Sequence, residues 1–156
     1  MAPNDLIIFN HQEIRRRSLK VFRGIPADFY QWKPDEEAMT FLESVRHVLE
    51  AVHLYHVIVD RRGNIGDYVS PWDNRPYTNL EDEIAFAQPY YDDFLTAIKA
   101  YSAEELESIE IVREALGQRR KLGDFLLRIA YHESIHTGQL LSYMRIAGIE
   151  RPNIWD

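Results

Sequence analysis

No cysteine occurs in the chain, which excludes disulfides and any nucleophile supplied by a protein thiol. Thiol chemistry here needs a thiol brought from outside, and the absence fits a cytoplasmic protein. Long apolar runs are missing too. Nothing approaches the roughly 18 uncharged residues of a membrane span, and MAPNDLIIFNHQEIRRR lacks the basic start, apolar core and small-residue cleavage site of a leader, so a soluble, unexported protein without a membrane partner is expected. Cations are scarce: 18 Lys and Arg stand against 25 Asp and Glu, a formal charge of -7 that argues against a nucleic-acid footprint. Arg15-Arg16-Arg17 and Arg119-Arg120-Lys121 are exceptions, read as a solvated helix face and a charged turn. Internal repeats and low-complexity tracts are also absent.

What is present is a chain of 156 residues with 46% hydrophobic content, enough for one domain over residues 1–156 that buries about 68–70% of its unfolded surface. Its periodicity predicts four helices. The first runs from Asp5 to about Gly24, with Ile7, His11, Ile14, Ser18 and Val21 on one stripe. Thr40 and Glu43 form a capping box that opens the second, which continues to Arg62 before Gly63. Thr78 and Glu81 suggest the same device for the third, whose seam is Leu80, Ile84, Ala87, Tyr91, Phe94, Ile98 and Tyr101, with a kink expected near Ala85 or Phe86 from Pro89. The fourth begins near Asp124 and ends between Arg145 and Gly148. A long loop, GNIGDYVSPWDNRPYTN, joins the second and third helices and carries Tyr68, Trp72 and Tyr77, which are expected to pack onto their own bundle. SIEIVREALGQRRKLG, before the last helix, reads as extended. The fold class expected is all-α, an up-and-down or crossover four-helix bundle.

Chemistry concentrates in AYHESIHTGQ, residues 130–139. His132 and His136, four residues apart, share one face of the last helix with Phe125, Ile129, Leu140 and Tyr143, the expected inward face. Two adjacent imidazoles in a low-dielectric interior each lose hydration, and neither can charge without repelling the other. A divalent cation removes that conflict, and neutral imidazoles suit zinc, nickel or iron. A third ligand must come from another helix. His53 shares a polar face with Arg46, Glu50 and Asp60 and is expected to meet solvent. His56 lies in the apolar stripe of Val45, Leu49 and Val52, whereas His47 lies on its flank beside Ser44, Ala51 and Ile58; the pattern does not separate these two. His11 is a further contender, as a residue orienting a ligand or substrate.

HExxH on a helix is also a zinc-peptidase signature, with the glutamate as general base. That reading needs a downstream third ligand, and no histidine follows His136. The extended HExxHxxGxxH pattern fails as well, because Gly138 comes one position early and Tyr143 stands in place of the last histidine. Glu133 is then a surface acid or one that supports a ligand from behind.

HESIHTGQLLSYMRIAGIERPNIWD, His47 within SVRHVLEAVHLY, and WKP at 32–34 together resemble the DinB/YfiT superfamily over nearly the whole chain. The most specific part is H-x-x-x-H-x-G-Q-L-L. The resemblance implies a crossover four-helix bundle and a three-histidine metal site at His47, His132 and His136, which separates His47 from His56. It further implies zinc or nickel with open positions, a frequent homodimer, and small-molecule chemistry such as thiol-dependent transfer using bacillithiol or mycothiol. Where the family often has arginine after His136, this chain has Thr137, so substrate specificity does not carry over.

Three neutral nitrogen ligands leave the ion's charge uncompensated and a position free, the arrangement of catalytic sites. Bound water then becomes hydroxide near neutral pH, and a bound external thiol becomes thiolate. The ion's chemistry serves both routes; with what the resemblance implies, the expected function is activation of an external low-molecular-weight thiol for transfer to an electrophile, with a metal-dependent hydrolase or a non-enzymatic metal-binding stress-response protein as alternatives. Gln139 and Tyr143, one and two turns beyond His136, are candidates to hydrogen-bond a ligand.

Overall fold

The computed structural model describes residues 1–156. Its elements are α1 (Pro3–Arg23), α2 (Phe41–Asp60), α3 (Leu80–Ala100), the short α4 (Ala103–Ser108), a hairpin of β1 (Glu110–Arg113) and β2 (Gln118–Lys121), and α5 (Leu122–Ile146). None of the helices is long and apolar enough to cross a membrane.

Helix starts follow local hydrogen-bond chemistry. At α2 the Thr40 hydroxyl accepts from the Glu43 amide at 3.1 Å and the Glu43 carboxylate accepts from the Thr40 amide at 2.7 Å, the expected reciprocal cap. At α3 the cap falls one residue later than expected. Asn79 Oδ1 accepts from the Asp82 amide at 2.9 Å, while Glu81 forms a two-point contact with Arg23 of α1 at 2.8 and 3.0 Å. Asparagine caps as well as threonine does, and Glu81 is engaged with an interhelical partner. Pro89 sits within an unbroken α3, with no interruption near Ala85 or Phe86. Pro89 and Ala85 are both exposed, so the carbonyl that loses its helical donor faces water.

The segment read as extended is an antiparallel hairpin that pairs Glu110 with Lys121 and Arg113 with Gln118, closed at Gly117 with φ of 60°. Ahead of it, α4 starts at a Ser102–Glu105 capping box, a sequence signal equivalent to that at Thr40. The hairpin is tied to the end of α2 by the Val112 amide donating to the Arg62 carbonyl at 3.0 Å. Gly63 makes that approach possible. Its φ is 115°, and a Cβ there would lie 1.9 Å from the Val112 carbonyl oxygen.

In cross-section α1 packs against α3 and α5, and α2 packs against the same two helices. Helices α1 and α2, consecutive in sequence, are therefore diagonal, as are α3 and α5, which is a crossover arrangement. The loop aromatics pack onto the bundle as expected: Trp72 is buried against Phe86 and Tyr90, with ring centroids 4.9 and 5.3 Å away, and Tyr77 meets Tyr30 at 5.6 Å.

Two apolar clusters fill the interior. One includes Phe22, Phe41, Leu49, Leu140 and Met144, and the other Ile7, Ile58, Phe94, Leu126 and Ile129. On α1 and α5 a polar belt separates them. Arg15, expected on a solvated face, is buried there and donates from Nε and Nη2 to the two carboxylate oxygens of Glu133 at 2.8 and 2.9 Å, with its guanidinium 4.4 Å from the Tyr91 ring centre. Arg16 and Arg17 do lie near the surface and contact Glu13 and the C-terminal residues. Ser18 and Thr137 complete the belt, their hydroxyls 2.8 Å apart.

Candidate metal centre

Periodicity along α5 decides which way its polar residues face. Glu133 and Thr137 occupy the α1-facing interior, while His132 and His136 are half-buried at the edge of the bundle and face α2. The histidine pair was expected to point into the core. Because α5 packs against both α1 and α2, its inward surface is wider than one stripe, and the pair lies at its margin.

His47, exposed on α2, meets them there. Its Nε2 lies 3.0 Å from His132 Nε2, and the three ligand nitrogens of His47, His132 and His136 are all within 4.8 Å of one another. The His136 ring centre is 4.6 Å from each of the other two. A tetrahedral zinc ion with Zn–N bonds of 2.0–2.1 Å holds its nitrogens about 3.3 Å apart. The observed spacing brackets that figure, so the donor set fits a transition metal.

Electrostatics favour the form that ligates. Burial, with His136 and His47 alongside, depresses His132 to a pKa of about 4. His47, though its edge is open to solvent, is lowered too, first by the water its neighbours exclude and then by His136, against an opposing pull from Glu50. A neutral imidazole offers a lone pair, and at near-neutral pH little proton competition remains at His132.

Tautomer is set by a neighbour. Gln139 Oε1, which can only accept, lies 3.0 Å from His136 Nδ1, so Nδ1 carries the proton and Nε2 keeps its lone pair. The Gln139 amide group then donates to the Tyr143 hydroxyl at 3.2 Å. Tyr143 is itself wedged between Trp32 and Phe41, with ring centres 5.9 and 5.8 Å away. Of these two candidates to hydrogen-bond a ligand, Gln139 bonds His136 directly, and Tyr143 packs in the core and bonds Gln139.

The remaining histidines lie elsewhere. His56 sits 3.7 Å from Asp60 and edge-on to Phe94. His53 does not simply meet solvent but is half-buried between Tyr90 and Tyr68, at 4.6 and 5.7 Å. His11 is buried, donates from Nε2 to the Leu126 carbonyl at 3.1 Å, and orients nothing at the centre. Thr137, at the position where the resemblance led to an expectation of arginine, donates to the Glu133 carbonyl at 2.8 Å and faces α1. Glu133 is neither a surface acid nor a base; Arg15 holds both its oxygens.

Beside His47 and His132 lies a cavity of about 130 Å³, walled also by Glu50, Ala51, Leu54 and Tyr55. Sequence reasoning passed over Glu50 and Tyr55 as site residues. Their spacing from His47, three and eight residues, places them on the same face of α2 and was the signal available.

Three imidazoles converging from two helices, two of them lining a cavity, define a helical-bundle protein with a candidate transition-metal centre. The chain belongs to the DinB superfamily, whose model matches residues 11–140. It is 28% identical over 149 residues to YjoA of Bacillus subtilis (strain 168), an uncharacterised protein, a match spanning 95% of this chain and 93% of that one. The crystal structure of YjoA, described as DinB-like, superposes with a TM-score of 0.70 at 25% identity and covers 96% of both chains.

Proposed function

We propose that this protein is a metal-dependent enzyme in which His47, His132 and His136 hold zinc or nickel, and that it activates an external low-molecular-weight thiol for transfer to an electrophile. The observation that carries the reading is the approach of three ligand nitrogens to within 4.8 Å, one of them from a residue 85 positions or more before the other two. An ion held there supplies Lewis acidity and a free coordination position, and so lowers the pKa of an incoming thiol or water. The protein's own residues do the rest. Gln139 holds His136 in the Nε2-ligating tautomer, and burial keeps His132 neutral. The cavity bounded by Leu54 and Tyr55 admits a small group beside the ligands. With no cysteine in the chain, a thiol that attacks there has to be supplied from outside, which is compatible with transfer but does not by itself choose it over hydrolysis.

Elemental analysis of protein purified without an affinity tag should find one divalent transition-metal ion per chain. His47→Ala should abolish it, and His56→Ala should leave it in place. A hundredfold excess of metal over its dissociation constant should raise stability by about 2.7 kcal/mol, reversed by chelator. Metal-free protein from every preparation, or equal loss in both variants, overturns the metal assignment. Metal-loaded protein that hydrolyses esters or amides without any thiol would replace transfer with hydrolysis. Loaded protein inert to a panel of electrophiles with several thiols, and to esters and amides, would leave a metal-binding role alone.

A further inference from the structure

The cavity lined by His47 and His132 has one charged wall. Along α2, His47, Glu50, Ala51, Leu54 and Tyr55 follow the three- and four-residue spacing of a single helix face, and all five line it with His132. Glu50 is half-buried there and has no side-chain hydrogen bond or ion pair of its own. The arginines of the surrounding helices are committed elsewhere. Arg46 donates to Glu83 at 2.6 and 3.0 Å, and Arg128, one turn before His132, donates to the neutral Gln118 Oε1 at 3.1 Å; its charge is felt at His132, but it forms no part of the cavity wall. Thr137, turned toward α1, adds no cation to the cavity.

A half-buried carboxylate without a partner favours whatever cation reaches it and disfavours anions, because the wall excludes part of the water that would screen it. The phenol of Tyr55, edge-on to His132 with ring centres 5.5 Å apart, adds an aromatic surface to the same enclosure. We infer that this cavity is a subsite for the positively charged end of a small ligand whose other end reaches the histidine-bound ion, and that Glu50 is the residue selecting it. The inference rests on the metal reading above and deepens it by naming the ligand class: small thiols bearing an ammonium-type group a few bonds from sulfur, in preference to anionic thiols.

The test uses cobalt(II)-loaded full-length protein, in which ligand-field bands report the ion and a sulfur-to-cobalt charge-transfer band reports thiol binding. Cysteamine, 2-mercaptoethanol and 2-mercaptoethanesulfonate form a series of similar length carrying positive, zero and negative charge. Each is titrated into wild type and Glu50→Gln, and the wild-type to variant affinity ratio cancels what the ion itself prefers. That ratio should favour cysteamine by about fivefold, leave 2-mercaptoethanol near unity and disfavour the sulfonate by a similar factor, the size expected of one partly screened charge. The preference should shrink at high salt. Equal ratios for all three thiols overturn the inference while the ligand-field bands leave the metal reading standing. Absence of those bands means that the metal reading itself has failed. A Glu50→Gln protein that loses cobalt rather than charge discrimination would recast Glu50 as a support for His47, and would also overturn the proposal.

Discussion

Gln139 shows how much a single amide can decide. An imidazole has two nitrogens, and an ion can use only the one without a proton. By accepting from His136 Nδ1 at 3.0 Å, Gln139 leaves Nε2 to ligate, and its own NH2 is fixed by Tyr143 at 3.2 Å. Loss of such a supporting partner generally lowers metal affinity about 10–100-fold. Gln139→Ala should therefore weaken metal binding by that factor, measured by competition with a chromophoric chelator, with little change in the melting temperature of the metal-free protein. Gln139→Glu should restore the affinity, since a carboxylate accepts from the same Nδ1. If the alanine variant binds metal as tightly as wild type, the hydrogen bond has no part in the site. Residue identity and spacing were enough to single out His132, His136, Gln139 and Tyr143, but not to say that the last two serve a histidine. That depends on side-chain rotamers, on which spacing is silent.

At the level of elements, what aims the site is the rotation of α5 about its axis. Arg15 of α1 grips Glu133 at both oxygens, and Ser18 meets Thr137 at 2.8 Å. With those residues locked toward α1, His132 and His136 are carried round to face α2. Removing one partner of a buried ion pair strands the other charge, at a cost of about 3–5 kcal/mol. Glu133→Ala should lose about that much in denaturant unfolding, whereas the paired change Arg15→Met with Glu133→Leu should lose considerably less. Similar losses in the two proteins would show that packing, not charge, dominates the contact. This pairing explains where sequence reasoning stopped. The helices, the Thr40 cap and the aromatic loop follow from local periodicity and hydrogen bonding, so they were legible. Arg15 looked like surface because its neighbours are arginines, and its partner lies 118 residues away on an element whose rotation no local pattern specifies. The α3 cap fell at Asn79 and not Thr78 for a smaller reason, since competing cap residues one position apart carry nearly equal energies; α4, six residues long, is too short to show a periodic apolar stripe despite its cap.

For the molecule as a whole, the polar belt between the two apolar clusters makes stability depend on acid. His11, one turn before Arg15 on α1, borders that belt, and burial drives its pKa from 6.5 down to about 4, against the smaller opposing effect of its bond to the Leu126 carbonyl. His132 is depressed to about 4 as well, again chiefly by burial. Because these folded-state values lie below the unfolded value, the unfolded chain binds more protons throughout the interval between them. Stability is therefore complete above about pH 6.5 and falls as pH drops toward 4, by about 3 kcal/mol for His11 alone at 1.36 kcal/mol per unit. Carboxylates held low by cations, such as Asp156 at about 2 through Lys20 and Arg16, add their own loss at lower pH and must be separated from this effect. The comparison that does so is metal-free wild type against His11→Gln, whose amide can still donate toward Leu126. Denaturant unfolding measured at half-unit steps from pH 7 to 4 should give a shallower acid limb in the variant, the difference approaching one proton, while carboxylate contributions cancel. Parallel limbs would mean that His11 is already solvated in the native state, and the belt would then have to be open to water at α1.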